Sequence, residues 1–194
     1  MIRNFLDTTC HNIWIESYFH TERTFCYELY HQLKINLTNY QNELNLNNII
    51  ISGEITKNAQ DGGSWTSPDI VLHNDNNHDN EDITNQFLVI EVKKYGRSNI
   101  SIKKDLRKIH DYMTTLNYQY GVILLCDKNS QEENNFINKI DRVLTEPDEN
   151  GETFNERFNI VLQNNDKRLF FILVTSGHNN VILLEFSPNN NNDA

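Results

Sequence analysis

The chain has 194 residues and a formal net charge of −10, enough length for one domain with a sizeable core. No apolar run approaches the roughly 18 residues of a membrane span. Met1 to Asp7 also lacks the apolar stretch of a secretory leader, so a cytoplasmic protein without membrane partners is expected. Cys10, Cys26 and Cys126 are odd in number and far apart, which fits reduced thiols and excludes a disulfide scaffold or a zinc-finger spacing.

The first strong segment is a helix from about Trp14 to Leu37. Tyr18, Glu22, Cys26, Leu29 and Leu33 follow helical spacing, and Phe25 and Tyr30 widen the stripe. An Asn-rich connection, 36–48, leads to a strand at Ile49–Ile55. A Gly-containing loop follows, whose Gly62 and Gly63 lack the Lys-Ser/Thr ending of a phosphate loop. Two Ile- and Val-rich runs then read as paired strands, Ile70-Val71-Leu72 and Phe87-Leu88-Val89-Ile90-Glu91-Val92-Lys93-Lys94. The loop between them opens with the spacing of a calcium loop at Asp75, Asn77 and Asp79. Asn80 and Gln86 stand where the glycine and the last Glu are needed, so an exposed polar loop is the reading, for His73 and His78 as well.

After a turn at Tyr95–Asn99, Ile102, Leu106, Ile109, Met113 and Leu116 make the apolar stripe of a helix capped by Ser98 or Asn99. A buried strand follows at Tyr120–Cys126, and a strand–helix–strand sequence of this kind makes a parallel, right-handed unit. Gln131–Leu144 reads as another helix. Three strands are expected beyond it, at Phe158–Leu162, Leu169–Val174 and Val181–Phe186, either extending the sheet or packing a homodimer interface. The chain holds 31 Asn, and its Asn-rich tail, 188–194, reads as a disordered end. One domain is expected over 1–194, with a core at about 14–145 and a β-rich extension at about 157–187.

The chemistry lies where charge interrupts apolar strands. Asp69 follows Pro68 at the start of one strand. Glu91 and Lys93, two residues apart, share a face of the next. Buried charges are costly unless they pair or hold a metal, and converging carboxylates beside an ammonium suit a hard divalent cation and an activated water. The charge is also uneven. From Asn58 to Val92 there are seven acids and no Lys or Arg, whereas Lys93 to Lys108 holds seven bases against Asp105 alone. A basic track beside an acidic cation site suits phosphodiester chemistry. The plainer reading of the track is a solvated helix face.

Pro68-Asp69 and Glu91-Val92-Lys93, with 21 residues between Asp69 and Glu91, resemble the motif of the PD-(D/E)xK, or restriction-endonuclease-like, nuclease superfamily. The resemblance covers about Glu22 to Asp127. It implies an α/β fold with an αβββαβ core, a central mixed sheet flanked by helices, here with extra C-terminal strands. It also implies a Mg²⁺- or Mn²⁺-dependent nuclease acting on DNA or RNA, DNA being the first candidate, with Asp69, Glu91 and Lys93 catalytic. Asp69 and Glu91 would ligate the metal, joined by the main-chain carbonyl of Val92. Many relatives add a carboxylate from the first helix, for which Glu28 is the matching candidate. Glu22 is the alternative, and Glu54 a weaker one. Lys94, Arg97, Lys104 and Lys108 are the candidate nucleic-acid contacts, Lys104 and Lys108 the most exposed and Lys103 and Arg107 on the flank. The rival function is a catalytically inactive, nuclease-like binding module, which the acidic charge favours.

Overall fold

A computed structural model describes residues 1–13, 16–44, 49–53, 67–74, 86–129, 131–148, 150–163, 166–176 and 181–187. Two helices come first, α1 (Ile2–His11) and α2 (Glu22–Tyr40), with a short 3-10 turn at Glu16–Phe19 between them. Strands β1 (Ile49–Gly53), β2 (Ile70–Asn74) and β3 (Gln86–Lys94) follow, then α3 (Asn99–Thr115) and β4 (Tyr120–Asp127). Helices α4 (Glu133–Thr145) and α5 (Phe154–Gln163) precede β5 (Arg168–Thr175) and β6 (Val181–Phe186).

All six strands form one mixed sheet in chain order, β1 to β6. The pairs β1–β2, β2–β3 and β5–β6 are antiparallel, and β3–β4 and β4–β5 are parallel. Each parallel step needs a crossover, and right-handed crossovers that advance in one direction put their helices on one face. That face buries Val71, Val89, Ile123, Leu125, Phe171 and Leu173 under α3, α4 and α5. The opposite face, with Ile70, Leu88, Ile90, Val92, Leu124 and Ile172, is covered by α1 and α2. β3, β4 and β5 are therefore apolar on both sides, as parallel strands in a three-layer fold must be. None of the helices is long and apolar enough to cross a membrane, among the described residues.

Three expectations are corrected. The helix expected from Trp14 to Leu37 begins only at Glu22, because Thr21 caps it: the Thr24 N–H donates to Thr21 Oγ1 at 3.0 Å. Ahead of it lies the unanticipated α1, whose Ile2, Phe5, Leu6, Thr9 and Cys10 are buried. Finally, Phe158–Leu162 is not a strand but the second half of α5. Phe154, Phe158, Val161 and Leu162 are its buried positions, a helical spacing. A capping box starts it, with the Glu156 N–H donating to Thr153 Oγ1 and the Thr153 N–H to Glu156 Oε2. β5 and β6 extend the same sheet. Glu54, the loop from Asp75 to Asp82 and the tail 188–194 lie outside the described residues.

Helix α3 sits close on the sheet at one defined point. A Cβ on Gly121 of β4 would come within 2.5 Å of Ile109 Cγ2 and 2.7 Å of Met113 Sδ. Glycine there lets α3 approach the strands, and α3 carries half of the charged cluster described next. Ser98 caps the start of α3, accepting the Ser101 N–H at 3.3 Å.

Candidate functional site

The antiparallel register pairs Ile70 with Ile90 and Val71 with Val89. Asp69 lies just before this pairing starts, beside the Glu91–Val92 end of β3. Pro68 has no N–H to continue the ladder, and the Asp69 carboxylate enters it instead. Its Oδ2 accepts the Val92 N–H at 2.7 Å. Two carboxylates thus meet at the end of the β2–β3 hairpin.

Glu91 is 1 % exposed, and its two oxygens accept hydrogen bonds from Lys108 Nζ at 3.3 and 3.2 Å. Lys108 comes from α3, as does Asp105, whose oxygens lie 3.4 Å from Lys108 Nζ and 3.1 Å from Lys93 Nζ. Glu91 and Lys93 share a face of β3, yet each pairs with α3 and not with the other. The result is a chain of charges, Glu91–Lys108–Asp105–Lys93, with Asp69 near its first member.

The balance is negative: three carboxylates face two ammonium groups. Burial, followed by repulsion from Asp69, pushes Glu91 from its ordinary 4.5 up to about 8, against the pull of Lys108. Burial also raises Asp69, despite the Val92 N–H and the nearby Lys93 and Lys108. Burial works against the charge on Lys93 and Lys108, but their carboxylate partners outweigh it and hold both ammonium groups above the ordinary lysine value. An added cation would relieve the carboxylate repulsion at Asp69 and Glu91. Among the described residues, however, no three His, Cys, Asp or Glu side chains converge closely enough to hold a metal by themselves.

Helix α2 brings a different acid from the one expected to lead. Glu28 makes its contacts within α2, accepting from Gln32 at 2.6 Å and lying 3.4 Å from His31. Glu22, in the first turn, reaches the end of β3. It accepts the Lys94 N–H at 3.2 Å, and its carboxylate lies 3.9 Å from Lys93 Nζ and 3.4 Å from Arg97 Nε. The alternative, Glu22, is the α2 acid at the rim of the cluster.

The basic track is largely tied up inside the protein. Lys108 is not among the most exposed residues of α3, because Glu91 and Asp105 draw it under the helix. Lys103 is buried, donating to the carbonyls of Glu146 and Pro147. Arg107 pairs with the buried carboxylate of Asp148, which also takes Arg157. Lys94 Nζ donates to the His20 carbonyl at 2.6 Å. Lys104 and Arg97 are exposed as expected.

Sequence reading did not single out Asp105 as part of the site. One signal was present: it is the sole acid among the bases from Lys93 to Lys108, and it adjoins the stripe residue Leu106. Cys26 lies nearby, but burial followed by repulsion from Asp69 raises its thiol far above the ordinary value, so it is no nucleophile. No protein-family model matches the chain, and neither does any curated protein or solved structure.

Proposed function

We propose that the chain is a metal-dependent nuclease with a restriction-endonuclease-like core, hydrolysing phosphodiester bonds in DNA or RNA. The observation that carries the reading is Asp69 bonded to the Val92 N–H beside the buried Glu91, with Lys93 two residues on from Glu91 and paired with Asp105. The order α2-β1-β2-β3-α3-β4, antiparallel through β3 and parallel at β4, supports it as well.

The donor set fits a hard cation: a buried carboxylate, Glu91, and a half-buried one, Asp69, that repel each other and offer oxygen donors only. Asp69 and Glu91 would hold Mg²⁺ or Mn²⁺. When bound, that ion supplies Lewis-acid stabilisation of the charge that develops on the phosphate. Asp105 keeps Lys93 protonated and aimed, so its ammonium can orient a water or stabilise the attacked phosphate as a compact point charge. Lys108 balances Glu91 until a cation takes over that task.

The reading is tested by incubating labelled single-stranded DNA, duplex DNA and RNA with the protein in Mg²⁺, Mn²⁺ or EDTA. Metal-dependent cleavage is expected, lost in Asp69→Asn and Glu91→Gln together with metal binding. Lys93→Met should lose cleavage and keep metal binding. Absence of cleavage by the parent under every condition would refute the reading. A second reading, a nuclease-like binding module without turnover, draws on Lys108 occupying both oxygens of Glu91. For that module, divalent cations would leave the thermal stability of the protein unchanged.

A further inference from the structure

A groove of about 510 Å³ opens beside the cluster on its α2 side, lined in part by Glu22, Arg23, Tyr27, Tyr30, Gly53 and Asp69. Asp69 is thus shared between the charged cluster and this groove. Arg23, Tyr27, Tyr30 and Lys34 are spaced i, i+4, i+7 and i+11 along α2, a single helical face. They run for about 16 Å along the helix, at 1.5 Å per residue. Tyr30 is fixed by its hydroxyl, which donates to the Ile51 carbonyl at 3.3 Å. Tyr27 is 66 % exposed, the most open aromatic ring among the described residues.

The cations on this face differ from those of α3. Lys103, Arg107 and Lys108 are all paired with carboxylates, as is Lys93 of β3. Arg23 and Lys34 are exposed and make no ion pair among the described residues. The face therefore alternates available positive charge with aromatic rings, on a protein whose net charge is −10.

We propose that this face of α2 and its groove form a track for single-stranded nucleic acid, with a base stacked on Tyr27 and phosphates at Arg23 and Lys34. The substrate class rests on the nuclease reading above; the track itself rests on the groove and the stripe. Single strands are favoured over duplex for two reasons. A base can stack on a tyrosine only when its face is free, and stacking supplies binding where few cations are available. The groove volume also lies in the range that encloses one small ligand, which suits an unstacked nucleotide better than a double helix. A strand lying along α2 would lead its backbone to Asp69 at the groove end, next to Glu91.

The test is binding of a labelled oligothymidine of about twenty nucleotides in EDTA, followed by fluorescence anisotropy, so that cleavage plays no part. Tyr27→Ala should weaken binding about ten- to a hundredfold, and Tyr27→Phe should keep it, because the ring face is what matters. Arg23→Gln with Lys34→Gln should flatten the log–log salt dependence by about 0.7 for each phosphate that the variant no longer neutralises. Arg142→Gln, on α4 across the sheet from α2, should change little. The proposal is overturned if Tyr27→Ala binds like the parent, if duplex binds as tightly as single strand, or if the oligothymidine does not bind at all. Binding through this face with no cleavage in Mg²⁺ or Mn²⁺ would uphold the track and remove the nuclease reading. Cleavage with Tyr27→Ala undiminished in binding would do the reverse.

Discussion

Replacing Glu91 by Gln tests the electrostatics of the cluster without nucleic acid or metal. Glu91 titrates near 8 in the folded chain and near its ordinary 4.5 when unfolded. Between those values the folded state holds a proton that the unfolded state has released. The stability that this group contributes is therefore greatest below about 4.5 and falls as pH rises toward 8, at up to about 1.4 kcal/mol per pH unit. From pH 5 to pH 8 the loss comes to roughly 3 to 4 kcal/mol for this one group. Glutamine keeps the shape, and its carbonyl oxygen still accepts from Lys108, but it has no proton to lose. Urea unfolding in EDTA at the two pH values should show parent and variant within about 1 kcal/mol at pH 5. At pH 8 the variant should be more stable by about 3 kcal/mol. Titrations outside the cluster contribute to both proteins and cancel in the difference. Parallel pH profiles would refute the reasoning, since Glu91 would then ionise as readily folded as unfolded.

Two further outcomes follow from the same geometry. Lys108→Gln removes the ammonium that occupies Glu91, so calorimetry should show divalent-cation binding about tenfold tighter or more than in the parent; unchanged or weaker binding would mean that Lys108 does not compete with the cation. Gly121→Ala forces a methyl group against Ile109 and Met113 and should cost about 1–3 kcal/mol, seen as a drop in Tm. Gly96→Ala, with nothing within 4 Å, is the control expected to be near neutral.

The strands and helices that could be read from sequence were those with a strong period. The α3 stripe Ile102–Leu106–Ile109–Met113 is buried as its spacing implies, and the apolar runs of β3, β4 and β5 are strands. Phe158–Leu162 misleads because a short apolar run fits strand and helix alike. The Thr153–Glu156 capping box is the signal that separates them. At the start of the chain, the signal for α1 is the helical spacing of Phe5, Leu6, Thr9 and Cys10. Thr21 fits a helix interior by spacing alone, but its β-region backbone makes it a cap.

By itself the sequence determined that Asp69 opens one strand and that Glu91 and Lys93 share a face of another, because side chains on a strand alternate and the apolar runs set its bounds. It could not determine which charges meet. Glu91 and Lys93 are close in sequence, and pairing them is the simplest structural alternative. Only the packing of α3 on the sheet, at a distance that Gly121 permits, delivers Lys108 to Glu91 and Asp105 to Lys93. The same packing turns most of the basic run inward, while Arg23 and Tyr27 of α2 line the groove beside Asp69. Charge pairing depends on distances between elements far apart in the chain, and those distances are set by side-chain volume where the elements touch. No local period encodes them.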